Sequence, residues 1–479
     1  MVKQNKQLKQ QVANLILRNQ VLLRERLRDK AQMRMFQSEI ARLKDEVAEA
    51  RGEVRSTASN SSLPPSANPP GAKKPVVKKP TGRRSGAQKG HKGHHRELKP
   101  TSEMDHVIPY RPDECEKCHA PLPASLPGTV VTRAQQAELP RRPAIFTEFQ
   151  GIGCQCPKCD HITVGKIPPE ILKSVCGPRL SAAIAYLSAC ALVSRRGVEE
   201  ALAILLGVKL SLGSVCAREK EMTEALAGPY EELKERVREA QAKYVDETGW
   251  KRAARWLWVA ASARVVVFLC CHKRTFAVLR QLLGEKIKGW ICTDRHGIYD
   301  KCPKKQRGLC WAHLKRDFQK LVDRGKGSEK IGQEALAITR EVFHRWRSFR
   351  HGRIKRETLR RLLKPLRSRM KRVLEEGAAS GIKETSGFCL RLLKLRGPMW
   401  RFAIVEGLEP TNNLAERMLR RAVIWRKKSF GSDSHRGCRF VERMLSVTMT
   451  LKLRGGNVLH YLASAIAAHR AGQATPAVN

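Results

Sequence analysis

The most constraining stretch of the chain runs from residue 243 to residue 294. Tyr244-Val245-Asp246 reads as a short apolar strand ending in a carboxylate, followed by two runs rich in β-branched and aromatic residues, Trp256 to Ala261 and Val265 to Cys271, with a polar turn between them. A helix-like run, Phe276 to Leu283, leads to Gly289-Trp290-Ile291-Cys292-Thr293-Asp294, again apolar and again closed by a carboxylate. A chain that spells strand, strand, strand, helix, strand is an α/β chain. The two aspartates are 48 residues apart, a separation such a unit spans.

That order, with Asp at the ends of the first and last strands, is the order of a ribonuclease-H-like core. A third acid stands far downstream, in Glu409-Pro410-Thr411-Asn412-Asn413-Leu414-Ala415-Glu416-Arg417, which opens a helix. Locally, Asn413-x-x-Glu416 also fits a capping box, in which Glu416 serves only backbone donors. Taken together, the three acids suit phosphodiester chemistry. Magnesium takes few, hard oxygen ligands because it keeps water and binds phosphate oxygens. Three carboxylates can hold two such ions about 3.5–4 Å apart. Around Glu416 lie Arg417, Arg420, Arg421, Arg426, Lys427 and Lys428, cations suited to holding a DNA backbone.

The whole chain is basic, with 92 Lys and Arg against 45 Asp and Glu and a net charge of +47 over 479 residues. Such a surface calls for a polyanionic partner, nucleic acid first. No secretory signal is legible, and Arg264 interrupts the best apolar run, Trp256 to Cys271, so a cytoplasmic, nucleoid-associated protein without a membrane partner is expected. Fifteen cysteines in such a chain point to metal binding and buried thiols rather than disulfides.

Residues 1–51 carry heptads, with Leu8, Leu15, Leu22, Phe36 and Leu43 at one seam position and Val12, Met33, Ile40 and Val47 at the other, interrupted by Asn19, Arg26 and Asp29. This reads either as a coiled coil that makes a homo-oligomer or as one amphipathic helix packed on its own chain. Residues 52–100 turn to Ser, Pro, Gly and Lys, a disordered basic linker able to follow phosphates or to act as a plain tether. In 101–166, Cys115-x-x-Cys118 and Cys156-x-x-Cys159 can supply four thiolates to structural zinc, with His119 and Cys154 as substitute ligands. Residues 167–242 read as helices. Val198 to Leu206 and Ser214 to Met222 suit either helix-turn-helix DNA binding or plain packing. Residues 243–437 form the catalytic domain, interrupted at about 321–400 by an arginine-rich helical insertion, and 438–479 are C-terminal helices.

Several motifs together carry a resemblance. They are Asp246-Glu247-Thr248 after a strand, Thr293-Asp294 with Tyr299, Cys310-Trp311-Ala312-His313, Asn412-Asn413-Leu414-Ala415-Glu416-Arg417 with Arg426-Lys427-Lys428, and Gly86-Ala87-Gln88-Lys89-Gly90-His91-Lys92-Gly93 in the linker. In content and order the chain resembles the insertion-sequence-66 family of bacterial transposases over nearly its full length. The resemblance implies a catalytic set of Asp246, Asp294 and Glu416 using Mg2+ or Mn2+ on a ribonuclease-H-like fold. It also implies a Zn2+ module at Cys115, Cys118, Cys156 and Cys159, and accessory proteins encoded by the same element. DNA, as element ends and as target, is the implied partner, bound in part by Arg417, Arg420, Arg426, Lys427 and Lys428. Cys310 and His313, one helical turn apart, read as active-site support, or as a soft metal site joined by Cys302 or Cys292. Two other readings stand beside a transposase: a related nuclease that never joins DNA, and a non-catalytic DNA-binding protein.

Overall fold

A computed structural model describes residues 98–479 apart from 126, 128, 138, 141–142, 156, 158, 160, 169–173, 251–254, 326, 430 and 479, together with scattered positions between 32 and 43. The basic linker, most of the heptad seam and Cys156 therefore lie outside the described residues. At positions 32–43 the described residues are helical, and Met33, Phe36, Ile40 and Leu43 are exposed. The described residues fall into two units, 98–150 with 199–210, and the remainder, which includes the positions between 32 and 43.

In the smaller unit the Cys115 amide donates to Ala120 O and the His119 amide to Cys115 O, each at 2.9 Å, so Cys115 and Cys118 sit on one tight turn. The larger unit contains a hairpin, β1 (Gly153–Gln155) and β2 (Ile162–Val164). Cys159 lies exposed in its turn. Helices follow: α1 (Pro178–Ala189), α2 (Arg195–Leu206), whose residues from 199 onward count with the smaller unit, α3 (Leu212–Ala225) and α4 (Ala227–Glu239). Gly207, at φ 67°, ends α2, and the Ser211 side chain caps α3 by accepting the Ser214 amide.

The sheet has five strands in the order β5-β4-β3-β6-β7. They are β3 (Ala242–Trp250), β4 (Arg255–Ala261), β5 (Val266–Cys271), β6 (Trp290–Thr293) and β7 (Arg307–Leu309), with α5 (Phe276–Leu283) between β5 and β6. β3, β4 and β5 are an antiparallel meander, whereas β6 runs parallel to β3 and β7 parallel to β6. The chain is thus a mixed α/β protein. Strand alternation gives the sheet two apolar faces. Val245, Trp258, Ala260, Val267 and Ile291 pack in one cluster with α4 and α5, while Tyr244, Leu257, Val259, Phe268 and Cys292 belong to another with the helix that carries Glu416.

After β7 the chain enters α6 (Trp311–Arg324), then α7 (Ser328–Arg350), α8 (Arg356–Ala378), α9 (Lys383–Lys394) and the short α10 (Arg396–Met399). These helices have a core of their own that includes Phe318, Trp346, Leu363, Met370, Phe388 and Trp400. Its two ends meet where Trp311 donates its indole N–H to Met399 O at 2.7 Å and packs edge-on against Trp400. The chain then returns to the sheet as α11 (Asn413–Ser429), α12 (His435–Leu453) and α13 (Val458–Arg470).

One device closes the β5 edge. A strand repeats its outward amides about every 6.8 Å, and a helix repeats a side-chain stripe about every 6 Å. Glu442, Ser446 and Thr450 form such a stripe on α12 and accept the amides of Cys270, Phe268 and Val266 at 2.7, 2.9 and 3.0 Å. The free edge is covered by side chains rather than left open to another strand.

Candidate active site and metal centre

The register of the parallel strands organises the site. Ala242, Lys243 and Tyr244 pair with Trp290, Ile291 and Cys292, an offset of 48 residues. Two places further on, the same offset sets Asp246 beside Asp294. Ile291, Cys292 and Thr293 pair with Arg307, Gly308 and Leu309, an offset of 16, which sets Asp294 beside Cys310. The ladder continues that far, since the Cys310 amide donates to Thr293 O at 3.0 Å. Asp246, Asp294 and Cys310 therefore form one row across three parallel strands, on the side of the sheet that α11 covers.

In one respect the sequence reading needs correction. β3 does not end at Asp246 but continues to Trp250, because Glu247 to Trp250 keep pairing with Trp258 to Arg255 on β4 after the parallel partner has stopped. Asp246 thus sits within a strand, where its parallel neighbour ends.

A stitched loop delivers the third acid. The Tyr244 hydroxyl donates to Gly407 O and accepts the Glu409 amide, both at 2.8 Å. The Trp311 amide donates to Pro410 O at 2.7 Å. Asn412, fully buried, donates its side-chain amide to Val245 O at 2.8 Å and its backbone amide to Cys310 Sγ at 3.2 Å. The start of α11 is thereby fixed to the middle of β3 and to the end of β7. Glu416 stands in its first turn, where its backbone amide donates to Asn412 O at 3.1 Å. Its Oε1 is buried without a hydrogen bond and faces His313 Nδ1 at 3.6 Å and an Arg316 nitrogen at 3.7 Å. That oxygen is turned toward α6 and caps nothing.

Among the described residues, Cys310, His313 and Glu416 are the three whose metal-ligating atoms gather within 4.8 Å of one another. Neither Cys292 nor Cys302 joins them.

Electrostatics separate this face from the other. Burial, then Glu247 and Asp294, push the Asp246 carboxyl well above the usual range. Backbone amides serve the two aspartates: Glu247 N donates to Asp246 Oδ1 at 3.0 Å and His296 N to Asp294 Oδ1 at 2.8 Å. The cation next in sequence, Arg295, turns away to Asp317 at 2.7 Å and stacks on Phe388. Burial, then Arg316, lower the His313 imidazole. Burial pushes the Cys310 thiol up to about 12.

Four supporting residues escaped the sequence reading. Tyr244 and Asn412 are the stitches just described. Arg307, 1% exposed, bonds Asp294 O at 2.9 Å, Tyr299 O at 3.0 Å and Asp300 at 2.8 Å, fixing the turn after β6. Glu247, on the opposite face from Asp246, is held by Arg274 and the Tyr299 hydroxyl. The Asn412-Asn413 doublet was the one local signal available. Partners of Tyr244 and Glu247 come from distant segments, and those of Arg307 from the turn just before it.

Of the basic residues singled out, Arg417, Arg420, Lys427 and Lys428 are exposed on α11. Arg426 is turned inward, donating to Thr248 Oγ1 at 2.8 Å and Gly249 O at 2.6 Å. A separate groove on the insertion is lined by Arg360, Arg361, Lys364 and Arg367 beside Trp400 and Ile404. No helix among the described residues is long and apolar enough to cross a membrane.

Comparison with known proteins adds two matches. A family model described as Transposase IS66 family matches residues 173–439, the span that contains the sheet, the insertion and α11. A second, described as a family of unknown function (DUF6444), matches residues 4–97. No curated protein matches the chain.

Proposed function

The chain belongs to the IS66 family of transposases, and from that premise we propose that it cuts and joins DNA with Asp246, Asp294 and Glu416 on a ribonuclease-H-like sheet. The observation that carries this reading is the shared offset of 48 residues, which brings Asp246 and Asp294 side by side on parallel strands beneath the helix that bears Glu416. The strand order supports the fold assignment, with three antiparallel strands followed by two parallel ones.

The donor set fits a hard divalent cation. Asp246 and Asp294 have no cation paired to them among the described ion pairs, and Glu416 Oε1 is buried without a hydrogen bond. Magnesium or manganese held by these carboxylates would supply charge neutralisation for the attacking and leaving oxygens of a phosphodiester. The remaining work falls to the chain itself. The amides of Glu247 and His296 aim the two aspartates, Arg307 fixes the turn behind Asp294, and Asn412 with Tyr244 holds α11 in register with the sheet. Arg417, Arg420, Lys427 and Lys428, exposed along α11, hold the phosphate backbone of the element end, and the basic groove on the insertion offers a second track.

In this reading a water cuts at the inverted repeats and the freed 3′ hydroxyl attacks target DNA. The domain plan completes it: a coiled coil at 1–51 pairs two copies, the linker to residue 100 tethers, and Cys115, Cys118, Cys156 and Cys159 hold zinc in 101–166. The helices of 167–242 contact DNA, the insertion about 321–400 interrupts the catalytic domain 243–437, and 438–479 close it. The exposed apolar positions Met33, Phe36, Ile40 and Leu43 favour the paired coil. The test is purified protein with element-end DNA and magnesium. Asp246→Asn and Glu416→Gln are expected to bind the ends but neither cut nor join. Normal strand transfer by either variant overturns the reading, and cutting without covalent joining by the unaltered chain reduces it to a nuclease.

A further inference from the structure

Cys310, His313 and Glu416 present a donor set that the aspartate row does not explain. One thiol, one imidazole and one carboxylate converge within 4.8 Å. Two of the atoms, His313 Nδ1 and Glu416 Oε1, are buried, face each other at 3.6 Å, and make no hydrogen bond, with an Arg316 nitrogen 3.7 Å from the Glu416 oxygen as an ion pair. Buried polar atoms left without hydrogen bonds are costly, and two that face each other call for something between them. A proton shared at 3.6 Å is too distant to serve. Ligand atoms around a tetrahedral zinc stand roughly 3.3–3.8 Å apart, given zinc–ligand bonds of about 2.0–2.3 Å.

We propose that Cys310, His313 and Glu416 form a transition-metal site, of the sulfur, nitrogen and oxygen chemistry that zinc or cobalt(II) takes and magnesium does not. The ligands come from rigid places. Cys310 caps the start of α6 at the end of β7, His313 follows one turn on, and Glu416 opens α11. The Asn412 amide already points at Cys310 Sγ from 3.2 Å, the donor a metal-bound thiolate accepts from. Binding displaces the thiol proton, so affinity rises with pH. Three protein ligands leave a fourth position open, the pattern of zinc sites that bind a further group. Because Glu416 is also the third acid of the proposed catalytic set, an ion held here takes it out of that set. The assignment rests on the proposed function at that residue alone.

The experiment counts zinc by equilibrium dialysis of the full chain, so that any zinc on the N-terminal cysteine pairs cancels between variants. The unaltered chain is expected to hold one equivalent more than Cys310→Ser and than His313→Asn, with thermal melts showing all three folded. If Cys310→Ser does not fold, His313→Asn carries the comparison. Cobalt(II) in place of zinc is expected to give a single-thiolate charge-transfer band in the difference spectrum between the unaltered chain and the variant. Asp294→Asn should keep the extra equivalent while losing DNA cleavage, and Glu416→Gln should lose both. Equal zinc counts in the unaltered chain, Cys310→Ser and His313→Asn overturn the site. An Asp294→Asn variant that still cuts DNA overturns the proposed reaction and leaves the zinc count to be read independently.

Discussion

Asp246 and Glu247 are neighbours in the chain and opposites in the fold. Glu247 points to one face of the sheet, 1% exposed, where Arg274 and the Tyr299 hydroxyl neutralise and hold it. Asp246 points to the other face, beside a second carboxylate and near a third, and burial with those charges pushes its carboxyl up. Glu247 has its counter-charge built in, whereas Asp246 is left in electrostatic debt. The contrast separates these two neighbours without reference to any relative.

The sharpest way to break that contrast is to neutralise each acid in turn. Asp246→Asn is expected to lower DNA cleavage by more than about a hundredfold, in the range lost when electrostatic groups are removed from active sites. Its melting temperature should stay level or rise, since like-charge repulsion is relieved. Glu247→Gln should do the reverse and destabilise the fold by about 3 kcal/mol in urea titration, because Arg274 is left unpaired. If Asp246→Asn unfolds the protein and Glu247→Gln does not, the sorting is wrong.

Glu442 sharpens the comparison as a third case, an acid that is buried and hydrogen-bonded but not neutralised. It accepts the Cys270 amide at 2.7 Å, and burial raises its carboxyl to about 7. The folded chain therefore holds a proton that the unfolded chain releases near the ordinary value of 4.5. Its contribution to stability is full below that value and is lost as pH rises through about 7, by at most about 3 kcal/mol. Urea midpoints between pH 5 and 8 should fall for the unaltered chain and fall less for Glu442→Gln. The smallest effect is expected outside the sheet. Arg417→Ala should weaken DNA binding evenly across sequences and reduce the slope of log affinity against log salt by about one.

Parts of this arrangement were legible in the sequence because local pattern decided them. Phe276–Leu283 is helical over the span that its apolar spacing indicates, and the strands at Arg255–Ala261 and Val266–Cys271 follow their β-branched runs to within a residue. Long-range pairing decided the rest. β7 has three residues, Arg307-Gly308-Leu309, and nothing in that tripeptide announces a strand until β6 lies beside it. β3 outruns Asp246 because β4 continues to pair with it. The separation of 48 residues between the aspartates could be counted in the sequence, but its meaning as a register offset needed the partner strand. Cys310 and His313 were visibly one turn apart. That Glu416 faces them could not be read, since the whole helical insertion intervenes.

That insertion has an entropic side. Trp311 and Met399, joined by a hydrogen bond, are separated by 88 residues. Closing an unstructured loop of that length costs about 4 kcal/mol in chain entropy. A segment with a core of its own, as these helices have, holds its two ends together and offsets that cost. The helical run from Trp311 to Met399 then acts as a clip that returns the chain to the sheet beside the point where it left. Any segment of different sequence with its ends equally close would serve the same purpose, so the demand falls on the contact between Trp311 and Trp400, which flank the insertion's interior, rather than on the helices between them.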